Sequence, residues 1–232
     1  MNFRQKILDF VFPNNITCIV CGEDIDIGNR YNMCSRCLKK TVFNNGKICM
    51  KCGRPLKNNT CNNCTGTKHY FKFARAPLVY IGGTRTLVHK LKFGNLACLA
   101  ESLAEFLYDE YVKMRVECDS VVAVPLHPHR YKIRGYNQSH ELLKVLNKKL
   151  NLEDLSSCVG RNRNTLPQSS LNLEGRLQNV KHAFVVLDNQ FRGKRVLVID
   201  DVVTTTATVD SLARVLRYAG ASEVYVLSIA HG

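Results

Sequence analysis

The stretch Val196-Leu197-Val198-Ile199-Asp200-Asp201-Val202-Val203-Thr204-Thr205-Thr206-Ala207-Thr208 decides how this 232-residue chain is read. Residues 195–199 are too few and too apolar for a surface helix and describe a strand buried on both faces. Two carboxylates stand at its carboxyl end, where parallel sheets present their ligands. Residues 207–219 then show helical periodicity closed by Gly220, and residues 224–229 form a second apolar strand. Strand, helix and strand at this spacing predict a βαβ unit, hence an α/β fold with a parallel sheet covered by helices on both faces.

The hydroxyl-rich turn between strand and helix carries the chemistry. Backbone N–H groups at a helix start, with the hydroxyls of Thr204, Thr205 and Thr208, form a nest for a phosphate dianion. Two carboxylates beside a phosphate repel it unless they hold sugar hydroxyls or a hydrated Mg²⁺. The combination therefore implies a phosphorylated sugar with free hydroxyls. An ordinary helix cap needs one acidic or hydroxyl residue, not six in order.

Upstream, residues 76–81 and 121–124 read as strands, the second stopped by Pro125. Residues 84–93, 96–114 and 137–150 read as helices, with Leu87, Leu91, Leu103, Leu107, Leu142 and Leu146 facing inward. Residues 161–175 are polar and patternless, too long for an idle connection, and suggest a flap over the site, with a short helix up to residue 179. Residues 1–12 predict an amphipathic docking helix ended by Pro13. No run approaches the ~18 apolar residues of a membrane span, and no cleavage site follows the first helix, so the expected location is the cytoplasm.

Residues 1–75 differ in character. Eight of the eleven cysteines form four Cys-x-x-Cys pairs: Cys18/Cys21, Cys34/Cys37, Cys49/Cys52 and Cys61/Cys64. Two intervening residues let one tight turn present both thiolates to one ion. Gly22 and Gly53 follow the first and third pairs, where a knuckle turn takes a positive φ. The order of knuckle and then plain pair occurs twice, 31 residues apart, which favours two sequential four-cysteine sites over an interleaved pairing of first with third and second with fourth. Zn²⁺ suits these ligands, with iron the alternative; without a secretory signal, disulfides do not. Four thiolates leave no open coordination position, so the metal is structural.

The net charge is +14, of which residues 1–75 carry +9. Each zinc ion with its four thiolates is a −2 centre, so two leave the chain at about +10, still basic enough to seek a polyanion. Arg30, Arg36, Lys39, Lys40, Lys47, Lys51, Arg54 and Lys57 are interleaved with Tyr31, Phe43, Tyr70 and Phe71. That mixture suits single-stranded DNA through phosphate neutralisation and base stacking, unless the aromatics form the module's small core.

The strand, acidic pair and hydroxyl loop resemble the signature of type I phosphoribosyltransferases, which bind phosphoribosyl pyrophosphate (PRPP). The resemblance implies that Asp200 and Asp201 contact the ribose hydroxyls and Mg²⁺, while Thr204, Thr205, Thr206, Ala207 and Thr208 hold the 5-phosphate. Thr206 stands where that family usually has glycine. Thr204 stands where 6-oxopurine salvage enzymes carry an aspartate, which argues against that subclass. Val124-Pro125-Leu126-His127-Pro128-His129-Arg130 follows the first core strand, where the family places its pyrophosphate loop; Leu126, His127, Arg130 and Arg134 are the implied contacts. Arg134-Gly135-Tyr136-Asn137-Gln138 then opens a helix, and Arg161, Arg163, Thr165, Gln168 and Arg176 follow.

Together with the cysteine pairs and Lys90-Leu91-Lys92-Phe93, the whole chain resembles the ComF family, associated with natural competence and DNA uptake in bacteria. The resemblance implies a zinc-ribbon module over residues 1–75 and a phosphoribosyltransferase-like domain over residues 76–232. It further implies binding of single-stranded DNA and a phosphoribosyl ligand, and contact with competence machinery at the inner membrane. Two other readings stand beside it: an active phosphoribosyltransferase with an unknown acceptor, and a non-catalytic PRPP-binding regulator. No base-reading motif is visible, which weakens a salvage enzyme.

Overall fold

The structure is a computed structural model that describes residues 17–26, 29–56, 58–93, 96–162 and 183–232. The expected N-terminal helix and most of the expected flap, with Arg163, Thr165, Gln168 and Arg176, lie outside the described residues. Among the described residues the cysteine-rich segment holds one helix, α1 (Ser35–Lys40), and leads into the short strands β1 (Phe73–Arg75) and β2 (Leu78–Val79). Then come α2 (Gly82–Phe93), α3 (Leu96–Met114), β3 (Ser120–Ala123), α4 (Pro128–Arg134), α5 (Gln138–Leu150) and β4 (Glu153–Asp154). The chain continues through β5 (Val159–Arg161), β6 (Phe184–Val186), β7 (Arg195–Val203), α6 (Ala207–Tyr218) and β8 (Glu223–His231).

The main sheet runs β1-β8-β7-β3-β4, with β2 also on β8, and all its pairings are parallel. β5 and β6 form a separate antiparallel pair. The strands look uniformly apolar because both faces are buried, and their period of two is still visible in the packing. Val121, Ala123, Leu197, Ile199, Leu227 and Ile229 meet Leu87, Leu91, Leu103, Leu107, Leu142 and Leu146 of α2, α3 and α5. Val122, Val196, Val198, Val224 and Val226 meet Val209, Leu212, Ala213 and Leu216 of α6. Each fully buried side chain of this kind contributes about 1.5–3 kcal/mol. The expected α/β architecture therefore holds, with helices on both faces.

Three expectations change. The strand placed at residues 76–81 shrinks to β2, with β1 ahead of it and Pro77, which has no N–H for the ladder, between them; the Pro77 carbonyl instead accepts from Asn44 N at 2.7 Å. The strand placed at 195–199 continues to Val203, with Asp200 opposite Ser228 and Val203 opposite His231, so the acidic pair lies within the ladder. Finally, the stretch after Val124 is not all loop. Pro128 opens α4 at a position where its missing N–H costs nothing, capped by His127 Nδ1, and Gly135 ends it at φ +78°.

Candidate functional site

The cysteine knuckles are built first, by backbone. Gly22 N donates to Cys18 O and Gly53 N to Cys49 O, both at 2.8 Å, and the two glycines take φ of +80° and +75°. At Gly53 a side chain is impossible on a second count, since a Cβ would stand 2.6 Å from Ala74 O. The turns gather Cys18, Cys21, Cys34 and Cys37 into one cluster and Cys49, Cys52, Cys61 and Cys64 into another, each with all sulfurs within 4.8 Å. Ligation is thus sequential. The Cys21–Cys34 and Cys52–Cys61 sulfurs are each 3.7 Å apart. Tetrahedral zinc with bonds of ~2.3 Å requires a separation of about 3.8 Å, so the donor sets fit the ion. Burial opposes ionisation, yet the amides of Cys21, Cys34 and Val20 together pull the Cys18 thiol down to about 6. Cys49 is pulled down to about 7 in the same way.

The acidic pair lies near the carboxyl end of β7. Asp200 is 8% exposed; its Oδ1 accepts from Asp201 N at 2.9 Å and from Ser139 Oγ, on α5, at 3.2 Å. Burial raises the Asp200 carboxyl to about 7 and the Asp201 charge adds to the shift, against the Asp201 amide, Lys92 and Ser139. Lys92 Nζ is 3.2 Å from Asp201 Oδ2. Desolvation outweighs this ammonium, so the pair is short of compensating positive charge. A hydrated divalent cation or sugar hydroxyls fit that shortage.

On one side of the pair is the hydroxyl loop, now only residues 204–206, before α6 begins. Thr206 is 3% exposed and takes φ +65°, a conformation that a β-branched residue adopts only under strain. Its Oγ1 donates to Thr205 O at 2.5 Å and its carbonyl accepts from Asp210 N at 2.8 Å. Thr204, Thr205 and Thr208 are half-buried around it, and Ala207 is buried.

On the other side, Val124 N donates to Ile199 O at 2.9 Å, which sets the 124–127 turn against β7. Asn137 caps α5 and its Nδ2 donates to Val124 O at 3.0 Å. Tyr136 Oη donates to Leu91 O at 2.7 Å, so the Arg-Gly-Tyr-Asn-Gln segment also fixes the end of α2 that carries Lys92. Arg134 Nη1 donates to Gln138 Oε1 at 3.0 Å. Arg161, at the end of β5, is buried; desolvation first, then Arg130, push its guanidinium down to about 10, while Asp200 opposes the fall. Arg130 is lowered likewise, by burial and then by Arg134. Arg161 thus faces Asp200, with Arg130 next to it and Arg134 beyond, and an anion among these guanidiniums would relieve their mutual repulsion. Leu126 and His127 are half-buried in the turn, and Leu126, Pro128, Tyr131, Lys132 and Gly135 line an open, largely apolar cleft of about 630 Å³.

Most of the aromatic residues read as possible base platforms are packed instead. Tyr31 stacks on Phe106 at 4.0 Å, Phe43 meets the same ring at 6.0 Å, and Phe71 is 1% exposed. Arg30 pairs with Asp109 and Arg36 with Glu23, while Lys51 Nζ donates to Phe71 O at 2.6 Å. Lys39, Lys40 and Lys47 stay exposed. Tyr31, Phe43 and Phe71 thus serve packing of the ribbon segment against the rest of the fold. Sequence reading assigned no role to Lys92 and none to Ser139, because a single lysine at a helix end and a serine in a first turn carry no local signal.

Comparison with known proteins places this geometry in context. Residues 7–65 match the family described as Double zinc ribbon domain. The chain is 30% identical over 227 residues to Competence protein F of Haemophilus influenzae, covering 93% of this chain and 97% of that protein. It is 31% identical over 216 residues to DNA utilization protein YhgH of Escherichia coli K12, covering 90% and 94%. Competence protein ComFC of Streptococcus pneumoniae is 25% identical over 230 residues, covering 91% and 98%. Among the described residues no helix is long and apolar enough to cross a membrane.

Proposed function

The chain belongs to the competence protein F family, and from that premise we propose that it serves DNA uptake in the cytoplasm by binding a PRPP-type ligand with Mg²⁺ and contacting single-stranded DNA. The observation that carries the ligand reading is one constellation: a buried acidic pair with a threonine loop on one side and Arg161 on the other, Arg130 and Arg134 following beyond it. In this reading Asp200 and Asp201 accept from the ribose hydroxyls and hold the hydrated metal. The amides and hydroxyls of residues 204–208 receive the 5-phosphate, and the arginines neutralise the pyrophosphate. Bound Mg²⁺ would supply charge neutralisation at the pyrophosphate oxygens. The DNA half draws on the basic charge of the chain and on relatives whose names refer to competence and DNA utilization. Competence proteins at the inner membrane are the partners this role calls for.

One observation favours transfer chemistry as a second reading. The cleft beside Leu126 and Tyr131 offers an acceptor room near the turn that would hold the pyrophosphate; transfer would form the new bond to the ribose anomeric carbon on the face opposite the departing pyrophosphate. A calorimetric titration with PRPP and Mg²⁺, with and without single-stranded DNA, coupled to a pyrophosphate assay, tests both. Binding without release supports a sensor, and release supports a transferase. No heat with PRPP at millimolar concentration refutes the ligand reading. DNA affinity that is absent at low salt, or indifferent to added salt, refutes the DNA half.

A further inference from the structure

The second ribbon touches the candidate phosphate loop directly. Arg54 follows the knuckle glycine, and its Nη2 donates to Thr204 O at 2.7 Å, across 150 positions of sequence. We propose that Arg54 is a positioning residue through which the second metal centre sets the 204–206 loop in its phosphate-receiving form. The inference rests on the reading of that loop as a 5-phosphate site.

Three observations support it. First, the backbone of Arg54 belongs to the metal centre: its carbonyl accepts from Cys49 N at 2.8 Å, one residue beyond the Gly53–Cys49 turn. Second, that knuckle is immobilised on the sheet. Ala74 N donates to Lys51 O at 2.8 Å, and Asn44 Nδ2 donates both to Gly53 O at 2.8 Å and to Ala76 O at 3.1 Å. No Cβ fits between Gly53 and Ala74 O, so the two backbones are in contact. Third, the loop needs outside support. Thr206 is held at φ +65°, and such strain persists only where neighbouring contacts over-determine the conformation. A charged donor on the Thr204 carbonyl fixes the plane of the peptide that precedes Thr205 and turns that carbonyl away from an incoming anion. The guanidinium also adds positive charge behind the nest. His231, buried at the end of β8 beside it, adds none, since burial and then Arg54 push its imidazole down to about 4.

The contact therefore makes the metal state of the second ribbon a determinant of phosphate affinity. Arg54→Gln keeps much of the side-chain volume and removes the charge. A charged hydrogen bond of this kind corresponds to a loss of roughly tenfold to a hundredfold in affinity. The loss should be equal for PRPP and for ribose 5-phosphate, which share the 5-phosphate, and absent for inorganic pyrophosphate. Arg54→Lys should recover part of it. Zinc content and Tm are measured alongside, with two zinc ions expected in every variant.

The outcomes separate cleanly. If the wild type binds none of the three ligands, the phosphoribosyl reading fails and takes this inference with it. If the wild type binds ribose 5-phosphate and Arg54→Gln binds it equally well, the inference fails alone. An equal loss for pyrophosphate marks general damage and also overturns it. Should the glutamine variant fold poorly, the lysine variant carries the same comparison, and a loss spread over all three ligands refutes the proposal there too.

Discussion

Replacing Asp200 by asparagine should make the protein more stable, and increasingly so as the pH rises. The carboxyl is buried and raised from 3.8 to about 7, so the folded state holds its proton more tightly than the unfolded chain does. The associated stability is fully present below the unfolded value and is lost as the pH rises through the folded one. At about 1.4 kcal/mol per pH unit the ionised group costs the fold roughly 3 kcal/mol at pH 6 and about 4 at pH 8, as ceilings. Asparagine keeps an oxygen for Asp201 N and Ser139 Oγ, the two donors on Asp200 Oδ1, and carries no charge. Urea unfolding of both proteins between pH 6 and 8.5, in Mg²⁺-free buffer, gives the difference. The metal centres are common to both and cancel. A variant less stable than the wild type at pH 8, or a gap that narrows with rising pH, would show that the carboxylate is compensated and the reasoning wrong. The same variant should lose PRPP binding, which is the ordinary trade of a charged site against stability.

Other outcomes follow from the same geometry. Cys49→Ser should lower bound zinc from two ions to one and leave the Cys18, Cys21, Cys34 and Cys37 site filled; metal analysis reads this directly, and loss of both ions would contradict sequential ligation. Thr206→Gly should relieve the positive φ and raise stability by up to about 1 kcal/mol in urea, since glycine takes that conformation freely. Leu212→Ala, at a side chain 0% exposed between α6 and the sheet, should cost about 2–5 kcal/mol.

How much of this was legible depended on whether the signal was local. The Cys-x-x-Cys pairs encode a turn within four residues, so sequence alone recovered the metal clusters and the positive φ at Gly22 and Gly53. The apolar run 196–199 announced β7, but polarity at Asp200 marked a false end, because the ladder to β8 runs on beneath the carboxylates. Helix α4 gave no periodic signal, having no buried residue to produce one. The contacts that assemble the site are the least visible from sequence. Lys92 reaches Asp201, Arg54 reaches Thr204, and Lys90 Nζ donates to the Ile19 and Val20 carbonyls of the first knuckle at 2.9 Å. Each joins segments at least 70 positions apart, and nothing in the composition of either segment names the other.

The place of β8, between β7 and the edge strands β1 and β2, has a consequence in time. Among the described residues the parallel ladders of β1 and β2 are both made with β8, so apart from a local bridge between Leu78 and Phe43 these ladders wait for residues 223–231. At a synthesis rate of about 5–20 residues per second, that wait is roughly 8–30 seconds, and such distant pairing is slow to close even afterwards. The metal ribbons need no such delay, since each closes over a short stretch. With Cys18, Met33 and Cys37 packed against α2 and α3, they give those nascent helices an apolar surface to rest on while the sheet is unfinished. Zinc present during translation should therefore give more soluble chain than zinc added afterwards, a difference that the soluble yield from the two schedules reads.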